Sequence, residues 1–310
     1  MAEKKNKHTL LKVIGGVSAT VATAYGGFSY LIFRHAFDLK NSMIHKTKNL
    51  VHTDTEVEAW FQHSVKSDLF LDSYDGLKLH ALSIMNHEDS NLWMILVHGT
   101  SSYSKNMIPY MYEADHRGYN ILAIDQRGCG ASEGKYTGLG WNEHYDLMMW
   151  INRLISNNKD CKIVLFGLNT GGATVINAVG DYLPTQVKCA IEDGSYSNLK
   201  EIINHVTKNI AHIDANPFLP AVNLLVQQFL HFSMNDISLK RQLRECEVPM
   251  LFIHGSDDEM IPTSMVFDNY YACGSEKELY VVEGKSYNNT YTDKHYFDTL
   301  FEFIDKHTQV

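Results

Sequence analysis

The feature that most constrains the fold is a series of short apolar runs that alternate with segments of helical period. Continuous apolar runs are typical of strands buried on both faces of a sheet. Their alternation with helices predicts a mostly parallel α/β sheet with helices on both sides. A hairpin around Asp75-Gly76 is the predicted antiparallel exception. The runs are LWMILVHG, NILAIDQRG, KIVLFG, VKCAIED, PMLFIHG and ELYVVEG.

The alternation breaks once, between residues 196 and 245, where two or three helices surround Pro217 and Pro220. An insertion there would cover the carboxyl ends of the strands. The sequence therefore predicts an α/β core with an inserted helical cap. The predicted segments are a basic tail with a membrane anchor (1–34), a polar connector (35–65), the first part of the core (66–195), the cap (196–245) and the second part of the core (246–310).

Charge and cysteine content narrow the function classes. Formal net charge is −9, with 27 basic and 36 acidic residues. No basic patch is evident, so the sequence carries no electrostatic footprint for nucleic acid. The five cysteines are widely spaced, and no Cys-x-x-Cys or Cys/His spacing suggests a metal site. We expect unpaired, buried thiols, with no metal and no cofactor.

The N-terminal segment 13–33 carries no charged residue, follows a lysine-rich stretch and ends at Arg34. At ~1.5 Å per residue, a helix of this length covers the ~30 Å hydrocarbon core of a bilayer. The sequence predicts an uncleaved, single-pass anchor. Two alternatives remain open: a signal peptide cleaved after the small residues 22–24, and a buried globular helix. Lysines flank the segment on both sides, so they do not determine its orientation.

The stretch KIVLFGLNTGGATV, residues 162–175, predicts a strand, a sharp turn and a helix. This is the setting in which hydrolases present a catalytic serine as Gly-x-Ser-x-Gly. Here the central residue is Asn169. An amide has no ionisable proton near neutral pH, so it cannot be activated as a serine hydroxyl is.

Three further motifs accompany the turn: LVHGTSSYSKNM, DQRGCGASEG and IHGSDDEMIP. In this order, and with DGLKLHA, GWNEHYDLMMWI, IEDGSYSN and NPFLPA, the chain resembles the α/β hydrolases. Within that fold it resembles the bacterial membrane-anchored cell-surface hydrolases, akin to the serine-aminopeptidase and monoglyceride-lipase branch. The resemblance runs from about residue 10 to the end. It implies a cap over the site and a globular part on the extracytoplasmic face of the cell membrane.

The resemblance also implies the site residues. The nucleophile position falls on Asn169, the acid position on Asp258 and the histidine position on Tyr287, with backbone N–H groups near Thr100 and at Thr170 forming an oxyanion hole. A phenol of ordinary pKa ~10 is a poor general base at pH 7. Losing serine or histidine from a triad costs on the order of 10⁶ in turnover. The triad is therefore expected to be degenerate.

Two functions from different classes follow. The first is a membrane-tethered pseudoenzyme that binds a small acyl or peptide-like ligand, or a partner protein, beneath the cap. The second is an active esterase, lipase or peptidase with an unorthodox site. Four residues nearby are poor substitutes. Thr170 should turn its N–H rather than its hydroxyl to the cleft, and Cys129 lacks an obvious base. Ser286 only neighbours the histidine position, and His295 lies far into the last helix. An Asn169 hydrolysed to a nucleophilic aspartate would still lack a histidine.

Overall fold

The computed structural model describes residues 23–40, 54–100 and 102–308. An N-terminal helix, α1, covers residues 23–37. The other helices are α2 (Thr55–His63), α3 (Ile108–Asp115), α4 (Trp141–Asn157), α5 (Thr170–Val179), α6 (Leu199–Ala211), α7 (Leu219–Leu230), α8 (Leu239–Arg244), α9 (Ser264–Ala272) and α10 (Tyr296–Thr308). The strands are β1 (Lys66–Asp72), β2 (Lys78–Ile84), β3 (Leu92–Val97), β4 (Asn120–Asp125), β5 (Lys162–Leu168), β6 (Val187–Asp193), β7 (Met250–Gly255) and β8 (Lys277–Val282).

The strands form one sheet in the order β1-β2-β4-β3-β5-β6-β7-β8. β1 and β2 pair antiparallel with Asp72 opposite Lys78, which confirms the hairpin around Asp75-Gly76. β2 also runs antiparallel to β4, whereas the remaining neighbours are parallel. The predicted mostly parallel α/β sheet is therefore confirmed. Its carboxyl edge collects the loops that follow β3, β5, β6, β7 and β8.

Both faces of the central strands are buried, which explains their continuous apolar sequences. In β3, Ile95 packs into the core under one face and Met94 into the core under the other. Leu165 and Phe166 alternate in the same way in β5. Successive side chains of a strand point to opposite faces, so a strand covered on both sides must be apolar throughout.

The glycine-rich turn after β4 is held by three carboxylates. Asp125 accepts hydrogen bonds from the backbone N–H groups of Ser104 (2.7 Å) and Ala131 (2.8 Å). The buried Arg127 guanidinium lies between Asp146 of α4 (2.8 Å) and Asp75 of the hairpin turn (2.9 Å). This network joins the β1–β2 hairpin to the centre of the sheet. Burying the Arg127 guanidinium without these carboxylates would carry a large desolvation cost.

The N-terminal helix packs against the rest of the chain. Phe33 and Phe37 are buried, and Phe33 contacts the rings of Tyr136 and Phe229. The helix continues past the predicted end of the anchor at Arg34 to residue 37. Asp38 then forms an isolated antiparallel β-bridge with Tyr136. Residues 13–22 of the predicted anchor lie outside the described residues. Within the described ranges, no helix combines the length and apolar character needed to cross a membrane.

The segment predicted as a cap contains α6, α7 and α8, between β6 and β7. The Asn198 side chain caps α6 by accepting from the backbone N–H of Lys200 (3.0 Å). Pro220 lies in the first turn of α7, where a missing N–H costs no intrahelical bond. All five cysteines are buried and none forms a disulfide, as the sequence predicts.

Candidate active site

The predicted turn lies between β5 and α5 and is strained at its apex. Asn169 has φ 54° and ψ −113°, a backbone conformation that side chains with a Cβ seldom adopt. Two glycines make the turn possible. A Cβ on Gly167 would lie 2.2 Å from the carbonyl oxygen of Gly171, and one on Gly171 would lie 2.1 Å from that of Val97. The helix therefore approaches β5 and β3 more closely than any larger residue allows.

Asn169 is buried and held on several sides. Its backbone N–H donates to the carbonyl oxygen of Asp193 at the end of β6 (2.8 Å). Its side-chain Nδ2 donates to Oδ1 of Asn288, in the loop after β8. A Cβ on Gly99 would lie only 3.1 Å from this Nδ2, so the end of β3 also touches the amide. The apex of the turn is thus occupied by a neutral amide whose Nδ2 is held by Asn288.

Thr100 and Thr170, the predicted oxyanion-hole residues, lie together beside this apex. The Thr100 hydroxyl donates to the Thr170 hydroxyl across 2.8 Å. Thr170 is the first residue of α5, and Thr100 follows β3. The structure therefore brings the two residues to one point, and their role in stabilising an oxyanion stays a prediction.

Asp258, the predicted acid, follows β7 and is buried. Its Oδ1 accepts from the backbone N–H groups of Met260 (2.8 Å) and Ile261 (2.9 Å). Its Oδ2 lies 3.5 Å from Nε2 of His254, but that nitrogen donates to the Ile261 carbonyl oxygen at 2.8 Å. Burial raises the pKa of Asp258 to about 6 despite the two N–H donors. A carboxylate that orients a catalytic imidazole is instead stabilised by it.

Tyr287, where the resemblance expects histidine, and the next residue, Asn288, lie in the loop after β8. Tyr287 lies in the wall of the cavity at the turn, and burial, with a smaller contribution from the charge of Asp258, raises its pKa to about 12. This phenol therefore stays neutral at pH 7 and cannot accept a proton from a nucleophile. The residue that touches Asn169 is Asn288, which the sequence reasoning missed. The Asn288-Asn289 pair indicates a tight turn, and Asn288 has φ 62°, but no sequence signal indicates its contact.

Comparison with known proteins identifies the fold that carries this site. The family model for serine aminopeptidase, S33, matches residues 89–201, about a third of the chain. An esterase of Pyrococcus furiosus, Pf2001, superposes with a TM-score of 0.65 at 20% identity, over 83% of this chain and 96% of the esterase. Acetyl xylan esterase 1 of Thermoanaerobacterium superposes with a TM-score of 0.61 at 18% identity, over 79% and 84%. The chain has the α/β-hydrolase fold.

Similar proteins of matching length are found among bacteria and fungi. The uncharacterized protein YqkD of Bacillus subtilis is 24% identical over 96% of this chain and 97% of its own length. The uncharacterized membrane protein YNL320W of Saccharomyces cerevisiae is 24% identical over 76% of this chain and 78% of its own length. The similarity to YqkD thus extends across nearly the whole chain, its N-terminal region included.

A cavity of about 190 Å³ opens above the strained turn of the α/β hydrolase. Its inner end is polar and carries Thr100, Asn169, Thr170 and Tyr287. Its walls are mostly apolar, with His35 and Thr207 as polar members. From α6 they include Ile202, Ile203, Val206 and Ile210, and from α1 they include Phe28, Leu31, Ile32 and Ala36. No lysine, arginine, aspartate or glutamate belongs to the described lining.

Proposed function

We propose that this α/β hydrolase is a pseudoenzyme that binds an uncharged amphiphile, with the polar group of the ligand at Asn169 and its apolar chain between α1 and α6. The observation that carries the proposal is the Asn169 amide at the apex of the turn, hydrogen-bonded to Asn288 where a hydrolase needs a serine beside a histidine. We further propose that the chain is attached to the cell membrane through its N-terminal segment, since residues 13–33 carry no charge.

The chemistry of the cavity supports an uncharged ligand. Its inner end presents hydroxyl and amide groups, the α1 side adds the imidazole of His35, and no lysine or arginine of the described lining would neutralise a carboxylate. Asp258 and Asp193 do not belong to the described lining, and Oδ2 of Asp193 accepts from the hydroxyl groups of Thr290 and Tyr296 (2.7 Å each). A buried unpaired charge is costly, so an anionic head group is disfavoured.

The size of the cavity supports a short apolar chain. At ~30 Å³ per water-sized group, 190 Å³ accommodates about six such groups. Burying methylene groups against the isoleucines of α6 supplies ~0.8 kcal/mol for each CH₂. Hexanamide and hexanol match both requirements: a neutral head and a chain of six carbons.

Thermal denaturation of the full chain in lipid nanodiscs tests the binding function. Hexanamide and hexanol should raise the melting temperature by a few degrees at saturation, whereas hexanoate at the same concentration should not. Val206→Trp should abolish this shift by filling the cavity. Leu224→Trp, at an exposed position of α7 outside the lining, is the matched control. Equal shifts in wild type and Val206→Trp, or a shift only with hexanoate, would contradict the proposal.

An active hydrolase remains the second candidate, because the strained turn and Asp258 are both retained. Hydrolysis of short-chain nitrophenyl esters should stay at the buffer background, and a fluorophosphonate probe should label no serine. Asn169→Ala should leave both results unchanged. Turnover that Asn169→Ala abolishes would establish the hydrolase and overturn the pseudoenzyme.

A further inference from the structure

The mouth of the cavity is rimmed by large apolar side chains that remain exposed. Phe28 and Leu31 of α1 are 44% and 47% exposed, and Ile210 of α6 is 41% exposed. All three also line the cavity. Two elements far apart in sequence thus place apolar groups around one opening. Isolated exposed apolar residues are ordinary, but a cluster around a binding cavity indicates a surface that contacts something apolar.

The sequence that precedes the helix of this rim is uncharged. Residues 13–22 immediately precede the described part of α1 and contain no charged side chain. Four lysines come before them, at positions 4, 5, 7 and 12. Lysines next to an apolar segment favour anionic lipid head groups. The sequence of residues 4–22 therefore indicates that the apolar environment next to α1 is a lipid bilayer.

We infer that the mouth of the cavity faces the bilayer, with Phe28, Leu31 and Ile210 in the interfacial region. This inference rests on the proposed function and names its ligand source. An uncharged amphiphile dissolved in the membrane enters between α1 and α6 without crossing water. Such a ligand partitions into lipid, so uptake from the membrane presents it at a far higher local concentration than the aqueous phase does.

Aromatic contacts and one hydrogen bond hold α1 against the residues that precede α7. Tyr25 stacks on Phe218 with ring centroids 5.4 Å apart, and its hydroxyl donates to the Pro217 carbonyl oxygen at 2.8 Å. Phe28 contacts the same phenylalanine ring at 5.8 Å. The N-terminal helix is thus joined to the loop before α7 on the same side as the rim.

Site-specific labelling of the full chain in vesicles tests the inference. Ile210→Cys is labelled with the fluorophore NBD and reconstituted into phosphatidylcholine vesicles with a quarter phosphatidylglycerol and a doxyl-labelled lipid. The native cysteines are buried, and the wild-type chain carried through the same reaction corrects for their labelling. The emission at position 210 should shift to the blue and be quenched at least twofold by the doxyl lipid. Leu31→Cys gives an independent reading from α1.

Tyr182→Cys is the matched control. Tyr182 is 88% exposed and lies before β6, at the edge of the sheet opposite the strained turn. Its label should keep the emission of an aqueous fluorophore. Aqueous emission at both 31 and 210 would overturn the inference, and so would equal quenching at 182. The fluorescence measurements need no ligand. If hexanamide raises the melting temperature but the labels at 31 and 210 show aqueous emission, the binding function stands and only the membrane-facing mouth is rejected.

Discussion

At residue 169 the chain retains a costly backbone conformation without the side chain that ordinarily uses it. Sparsely populated backbone angles cost ~1–3 kcal/mol and persist only where the surrounding structure enforces them. Here the enforcing contacts are the Asn169 N–H to the Asp193 carbonyl and the glycine contacts at positions 167 and 171. The packing of the surrounding residues therefore explains the strained backbone without a catalytic role for Asn169.

Rebuilding the triad tests where its positions lie. Asn169→Ser has no base, and Tyr287→His has no hydroxyl to activate, so each single change should do little. Together, with Asp258 available to orient the ring, they should give esterase activity at least ~10-fold above either single variant. The measurement is nitrophenyl ester turnover with fluorophosphonate labelling of the new serine.

The control for this prediction uses the neighbouring residue. Asn169→Ser with Asn288→His places the imidazole on the residue that touches position 169. Labelling by this pair, and none by the pair with Tyr287→His, would contradict the assignment of Tyr287 and move the histidine position by one residue. A further Asp258→Ala should remove the gain.

Asp258 also predicts a pH dependence of stability. Its pKa of about 6 lies above its ordinary value of 3.8, so the folded chain holds this proton more tightly than the unfolded chain. The contribution to folding is complete below pH ~4 and is lost as the pH rises through 6. Asp258→Asn should therefore gain stability relative to wild type between pH 4 and pH 7, on the order of 2–3 kcal/mol. Thermal denaturation across this range measures it.

The exposed neighbour provides the comparison. Asp257→Asn changes the same charge one residue earlier, at a solvent-exposed position. Its melting temperature should follow wild type at every pH. A difference between Asp258→Asn and wild type that does not grow with pH would show that burial does not disfavour the Asp258 carboxylate.

Sequence reasoning reached some of these residues and missed others. Asn169 could be located because glycines at fixed spacing after an apolar run allow little except a tight turn. The contact from Asn288 could not be predicted, because it depends on how the loop after β8 folds across the carboxyl edge. Tyr287 and Asn288 are adjacent, and only the loop geometry decides which of them touches the turn.

At the scale of elements, the approach of α5 to β3 and β5 depends on the absence of side chains. Gly171→Ala would place a Cβ 2.1 Å from the Val97 carbonyl oxygen and 2.6 Å from that of His98. Neither acceptor belongs to a flexible side chain, so the helix must move. We expect a loss of ~3 kcal/mol or more in the free energy of unfolding, measured by chemical denaturation.

A glycine in open space gives the matched variant. A Cβ on Gly27 of α1 would have nothing within 4 Å. Gly27→Ala should leave the protein as stable as wild type or raise its stability by ~0.5–1 kcal/mol, because alanine favours a helix. Similar losses in both alanine variants would show that the tight contact at Gly171 is unimportant.

The elements themselves were largely predictable, but the packing of α1 was not. Strands buried on both faces can be recognised in the sequence because both sides of the sheet require apolar residues, as in LWMILV. An uncharged segment such as 13–33 satisfies a membrane and a protein core equally well. Its pairing with the rings of Tyr136 and Phe229 depends on distant residues that no local pattern identifies.

At the scale of the whole molecule, the N-terminal helix is part of the core. Phe37→Ala should lower the free energy of unfolding by ~3–5 kcal/mol, because Phe37 is fully buried beside Phe33. Phe28→Ala on the same helix, at the exposed rim, should cost less than ~1 kcal/mol. Denaturation of both variants in nanodiscs measures the difference, and equal costs would contradict the packing of α1.

The bridge between Asp38 and Tyr136 has a consequence for how this chain can be produced. Truncation before the globular region is the usual way to obtain a water-soluble version of an anchored protein. Here a chain begun at residue 41 would lack Phe33, Phe37 and Leu39, all buried in the intact protein. It would expose the groove that they fill and lose one wall of the cavity. A fragment of this kind is therefore expected to aggregate, and its failure to bind a ligand would reveal nothing about the intact protein.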